Sequence, residues 1–183
     1  MKKAVNTKND VNGSINALEA VRHIATPGLS ASVEPYLVEL TEDVAAKAGE
    51  KNADLSKSAS AALLAIAQSV TPTSIKTILP KLTTRLSTTN KWTEKVAVLA
   101  AIAALVDVAN GPIALRMTEL VPVLSEAMWD TKVDVKNAAT ATMTKATETV
   151  DNKDIEKFIP KLIECIAKPT EVPETVHTLG ATT

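Results

Sequence analysis

One tetrapeptide pattern, apolar-Pro-x-Leu, occurs three times in this chain: Leu79-Pro80-Lys81-Leu82, Val121-Pro122-Val123-Leu124 and Ile159-Pro160-Lys161-Leu162. The prolines stand 42 and then 38 residues apart, and each is embedded in the same apolar frame. Ile75, Met117 and Ile155 stand five residues before it; Ile78, Leu120 and Phe158 stand two before; Leu86, Met128 and Ile166 stand six after. A fourth copy of the frame lies 38 residues before Pro80, where Glu42 replaces the proline among Leu37, Leu40, Val44 and Ala48. Steps of three and four place these residues on one stripe of a helix. A proline in mid-stripe removes a backbone donor and bends or shortens that helix.

Each frame is followed by a second helical segment, and neither segment can bury its stripe alone. The clearest unit is 114–150, with Met117, Leu120, Val121, Leu124 and Met128 before a break at Trp129-Asp130-Thr131 and the small residues Ala138, Ala139, Ala141 and Ala146 after it. A period near 40 residues built from helix pairs is that of HEAT and armadillo arrays. The expected fold is therefore all-α: a right-handed α-solenoid of HEAT repeats, about four helical pairs, with no β-sheet. Its inner layer is expected to contain Leu82, Ala101, Leu124, Ala139 and Leu162. Aromatic residues make up only 2% of the chain, which suits thin helical layers.

In order, residues 1–13 read as a polar N-terminal segment and 14–183 as the solenoid. Ser14–Ala25 resembles the second helix of a unit without its first, ending at Pro27-Gly28. Ser32–Ala48 and Asp54–Val70 form the next pair, with Ser32 capping, Pro35 in the first turn and Gly49 as the C-cap. Ser74–Ser87 and Lys91–Ala109 follow, stopped by Gly111-Pro112. After the 114–150 unit come Asp154–Ala167 and a tail from Val176 that begins another helix. A solenoid normally ends in polar capping repeats. Neither terminus shows one, so a truncated C-terminal end, with Leu162 and Ile166 partly uncovered, is expected.

Twenty basic and twenty-one acidic side chains nearly cancel, so any basic footprint must be local. Cys165 is the only cysteine and excludes an internal disulfide; it lies on an apolar helix side and reads as a packed thiol. The longest apolar run, Val96–Val106, is too short to span a bilayer and reads as a buried helix. Met1-Lys2-Lys3 is not followed by a signal-peptide core. Together these make a cytoplasmic monomer the expectation, with no membrane partner. The five glycines form no phosphate loop or dinucleotide turn. His23 and His177 stand apart, and no ligand set has metal spacing. Glu148, Asp151 and Asp154 read as helix-boundary carboxylates. The chain is expected to have no catalytic, cofactor or metal site and to bind no ATP or other small molecule.

The basic residues carry more. Lys57, Lys95 and Lys136 open three successive second helices at spacings of 38 and 41, which suggests a column. One reading is an inter-repeat ladder, with Asp130 six residues before Lys136 as its acid. The other is a stripe facing a phosphate backbone, joined by Arg85, Lys91, Arg116, Lys132, Lys145 and Lys153. The ladder suits Lys136. Binding suits Lys91 and Lys95, which flank Trp92 without an evident partner. Trp92 and Trp129 both stand at helix–helix turns, where such residues seal the joint or anchor a partner.

The tracts NKWTEK followed by VAVLAAIAALVD, ALRMTELVPVLSEAMWDTKVDVKNAATATMTKATETVDNKDIEKFIP and PTEVPETVHTLGATT resemble the amino-terminal HEAT region of translation elongation factor three. The resemblance is nearly continuous from Asn90 to Thr183 and looser from Ser14 to Asn90, where Val33-Glu34-Pro35-Tyr36-Leu37 is its best anchor. It implies a fungal-type factor whose solenoid docks on ribosomal proteins and rRNA. In that family two downstream ABC-type cassettes hydrolyse ATP with Mg2+ to help release deacylated tRNA from the exit site. Two other readings are a related ribosome-associated activator of the amino-acid-starvation kinase and a protein-binding HEAT scaffold of the transport or phosphatase type.

Overall fold

The computed structural model describes residues 2–6, 10–26, 30–87 and 89–150. Pro160, Leu162, Cys165, His177, Lys153 and the helix expected over Asp154–Ala167 lie outside them. The described helices are α1 (Lys2–Val5), α2 (Val11–Ile24), α3 (Ser30–Ala48), α4 (Ala53–Ser69), α5 (Ile75–Thr83), α6 (Trp92–Val108), α7 (Asn110–Ala114), α8 (Met117–Ala127) and α9 (Val133–Thr147). No strand occurs among the described residues.

The second helices α2, α4, α6 and α9 pack directly on one another in that order, and the first helices α3 and α5 pack side by side against them. Fully buried positions recur with the repeat: Leu55, Ala59, Ala62, Leu63 and Ile66 in α4, Glu94, Val98, Ala101, Ile102 and Leu105 in α6, and Val135, Ala139, Thr142 and Ala146 in α9. The offsets are 39 residues from α4 to α6 and 41 from α6 to α9. At the centre of this stack stand Ala62, Ala101 and Thr142, small enough for adjacent helices to approach closely. The Thr142 hydroxyl donates across the repeat boundary to the Leu99 carbonyl at 3.2 Å. Helix α6, covered by α4 and α9, is buried almost all round, which explains its unbroken apolar run.

Leu82, Ala101, Leu124 and Ala139 are all buried. They do not form the single inner layer expected: Leu82 and Leu124 belong to first helices and Ala101 and Ala139 to second helices, so the four mark the core between the two rows. Pro80 and Pro122 lie inside α5 and α8 and are exposed. Each faces water, where the carbonyl deprived of its partner one turn earlier can be hydrated. α5 is short and passes into a 3-10 turn over Thr84–Leu86.

Four local expectations are corrected or refined. The polar start is not loose: α1 packs on α2 and α3 with Val5 buried, and α2 begins at Val11, where Asp10 accepts the Gly13 N–H at 2.7 Å. α3 begins at Ser30, so Ser32 is inside the helix and not its cap, and Pro35 falls in the second turn. α6 ends at Val108 as expected, but Gly111-Pro112 is not a plain break: Pro112 sits in the first turn of the short helix α7, where a missing N–H costs nothing. Gly49 is required by space and not by a left-handed backbone. A Cβ there would stand 3.1 Å from Oε2 and 3.3 Å from Cβ of Glu94. Because that carboxylate is held by Arg85, Gly49→Ala is expected to destabilise the fold by about 1–2 kcal/mol in urea unfolding. A change below about 0.5 kcal/mol would show that the Glu94 side chain yields freely.

Candidate functional site

The register of the second helices decides which cations share a column. Lys95 and Lys136 are equivalent, and Ser56 takes their place in α4. Lys57 is equivalent to Val96 and Asn137, one residue off, and a single residue turns a side chain by about 100° around the helix. The column Lys57–Lys95–Lys136 therefore does not form.

Four of the sequence-derived cations are held by acids. Lys95 is buried, with a side chain 7% exposed, and its Nζ donates to Asp130 Oδ2 at 2.7 Å. This is the inter-repeat ladder, made by Lys95 and not by Lys136. Asp130 sits in the turn before α9, and its Oδ1 accepts the Lys132 backbone N–H at 2.9 Å. That bond fixes the carboxylate so that its other oxygen reaches back to the preceding repeat. The hydrogen bond from Lys95 is the main reason the Asp130 carboxyl titrates below the usual range; the Lys132 N–H adds to it and partial burial opposes it. Lys145 Nζ makes a second link across the boundary, to Asp107 Oδ2 at 2.5 Å. Arg85 Nε and Nη2 both reach Glu94 Oε1 at 2.5 Å, and the Arg85 carbonyl accepts from Asn90 Nδ2 at 2.7 Å. Arg116 Nη1 straddles the Glu119 carboxylate at 2.7 and 3.0 Å.

A further polar link joins the first two full repeats. Glu34 is buried near the start of α3 and accepts the Thr71 N–H at 2.7 Å and the Thr71 hydroxyl at 2.8 Å. Burial alone would raise its pKa, but hydrogen bonds from Ser74 and from both Thr71 donors together hold it below the ordinary value.

Lys57, Lys91, Lys132 and Lys136 are exposed and make no ion pair among the described residues. Two of them define a different line. Lys91 and Lys132 occupy the residue before α6 and before α9, and Lys51 stands beside the matching position, Asn52, before α4. The turns between first and second helices thus carry one exposed lysine each, along one edge of the repeats. Lys51 escapes the sequence reading, although the successive spacings of 40 from Lys51 to Lys91 and 41 from Lys91 to Lys132 are readable there. Asp54 and Asp134 are exposed in the adjoining first turns. Glu50 is paired with Lys47.

The same edge holds both tryptophans. Trp92 is 43% exposed and Trp129 is 85% exposed, so Trp129 seals no joint between helices. Between them opens a groove of about 420 Å³, lined also by Leu86, Asn90, Glu126, Thr131 and Lys132, with the Lys95–Asp130 pair among its walls. Chemically this edge offers ammonium groups free to take phosphates and aromatic faces free to stack. Among the described residues no single helix is long and apolar enough to cross a membrane.

Comparison with known proteins agrees with the repeat architecture. The family model described as EF3 N-terminal HEAT repeat matches residues 1–143. The chain is 67% identical over 184 aligned positions to Elongation factor 3 of Candida albicans, covering 100% of this chain and 17% of that protein. It is 60% identical over 175 positions to Elongation factor 3A of Saccharomyces cerevisiae, covering 95% of this chain and 17% of the relative. Elongation factor 3 of Gonapodya prolifera is 40% identical over 180 positions, covering 97% of this chain and 16% of the relative. The chain therefore spans about a sixth of the length of these relatives, at their N-terminal part. With its repeats, its inter-repeat ladder and this identity along its whole length, the chain belongs to the EF3 N-terminal HEAT repeat family, as a translation elongation factor region.

Proposed function

We propose that this chain is the ribosome-docking arm of an elongation factor of the EF3 type, working in the cytoplasm and contacting ribosomal RNA and proteins. In this reading it supports ATP-dependent release of deacylated tRNA from the exit site, while ATP and Mg2+ are handled by other parts of the full-length protein. The observation that carries the proposal is the line of lysines Lys51, Lys91 and Lys132 along the turn edge, unpaired among the described residues, in a chain otherwise close to neutral. A lysine with no acid partner neutralises a phosphate without first breaking an ion pair. Rigid stacking of α4, α6 and α9 spaces these groups along the edge, so several phosphates can be met at once. Lys57 and Lys136 are exposed further into α4 and α9, at positions that are not equivalent.

Neutralised phosphates release counterions, so affinity is expected to fall linearly on a log–log salt plot. Co-sedimentation of the chain with purified ribosomes across a salt series tests this. Binding at low salt that weakens steeply as salt rises is expected. Absence of co-sedimentation at the lowest salt would overturn the proposal.

A further inference from the structure

We propose that the groove between Trp92 and Trp129 is a stacking site for an unpaired RNA base, with Lys132 in its wall holding an adjoining phosphate. The inference rests on the ribosome-docking reading and names the chemistry of one contact within it.

An indole left 85% exposed on a folded domain has a large apolar face in water, and a partner is what ordinarily covers such a face. Here two indoles border one groove, and its other walls mix apolar and polar groups: Leu86 and Ala127 line it together with Asn90, Thr131, Lys132 and the Lys95–Asp130 pair. That composition suits a flat aromatic ring with hydrogen-bonding edges better than an aliphatic side chain, which would leave those polar groups unpaired. The electrostatics point the same way. The Asp130 carboxylate, which would repel a phosphate, is neutralised by Lys95 at 2.7 Å, while the ammonium groups of Lys91 and Lys132 have no acid among the described residues. Glu126 is the one other carboxylate lining the groove. Bases splayed out of single-stranded loops are the part of RNA that aromatic side chains read, because every base has a face to stack. A paired helix offers only phosphates and ribose to such a groove.

The chain contains two tryptophans, Trp92 and Trp129, so its intrinsic indole fluorescence reports on this groove alone. The test titrates the whole chain with an unstructured 12-nucleotide RNA and with the same sequence as a duplex, beside ribosome co-sedimentation. The single strand is expected to quench the fluorescence and the duplex to leave it nearly unchanged. Trp129→Ala is expected to weaken single-strand binding about 5- to 150-fold, and Trp129→Phe to restore most of it. Far-ultraviolet circular dichroism checks the fold, which a side chain this exposed should not perturb. If the chain sediments with ribosomes but neither the 12-mer nor Trp129→Ala has an effect, the stacking site is overturned and the docking reading stands. If Trp129→Ala weakens ribosome binding while the 12-mer does not bind, the groove takes a protein, which also overturns it. If the 12-mer binds through Trp129 and ribosomes do not sediment the chain, the stacking site holds and the docking reading fails.

Discussion

Replacing Asp130 by alanine is expected to lower the stability of the folded chain by about 3–5 kcal/mol at neutral pH. The magnitude follows from what is left behind. Lys95 is 7% exposed and lies at the boundary between two repeats, so without Asp130 its ammonium is stranded away from water. The Lys132 N–H loses its acceptor as well. Because the Asp130 carboxyl is held below its ordinary pKa, its contribution is fully present above the unfolded-state value of about 4. It is lost as the pH falls through the lower folded-state value. The gap between wild type and Asp130→Asn should therefore be open at pH 7 and should close in strong acid. Urea unfolding at several pH values measures it; a gap that stayed constant into acid would show that the carboxylate charge does not hold this boundary. A double-mutant cycle with Lys95→Met should return a coupling well above the ~0.2–1 kcal/mol of a surface pair.

The second large effect is in the core. Leu124 is fully buried in α8, on the same stripe as Leu120 and Ala127. α8 covers α9, and a solenoid repeat is stabilised only by its neighbours. Leu124→Ala removes most of a side chain from this contact and leaves a cavity that helices of fixed spacing cannot close, at an expected cost of about 2–5 kcal/mol. The loss should appear first in α8 and α9, as faster amide exchange there than in α4. A loss below about 1 kcal/mol would contradict the burial of Leu124.

The repeat was legible because it is written in spacing. Pro80 and Pro122 fall inside first helices, and the frame around Pro80 is core; around Pro122, Leu120 and Leu124 are core, Met117 and Met128 are partly buried, and Val121, expected on the stripe, is exposed. The lysine pairing was not legible. Spacings of 38 and 41 look alike on paper, but the second helices repeat at 39 and 41, and the missing residue swings Lys57 off the line that Lys95 and Lys136 share. The acid for Lys95 lies 35 residues ahead in another repeat, so no local pattern points to it. Gly49 shows the same limit: its need for a bare α-carbon comes from Glu94 in the next repeat. Trp129 stands at a turn as the sequence indicates, yet only the packed repeats show its ring lying in solvent.

The central claim is a division of labour among the cations: those paired with acids serve the fold, Lys95 and Lys145 across repeat boundaries and Arg85 and Arg116 within a repeat, and those on the turn edge bind. One comparison separates the two. Lys51, Lys91 and Lys132 changed together to glutamine are expected to flatten the log–log salt slope of ribosome co-sedimentation by roughly 2–3 and to leave the urea midpoint in place. Arg116 and Lys145, changed together to glutamine, are expected to lower stability modestly, about 0.2–1 kcal/mol for each pair, and to leave the slope unchanged. A turn-edge variant that sediments like the parent at every salt concentration, while the Arg116 and Lys145 variant loses its salt dependence, would contradict the account.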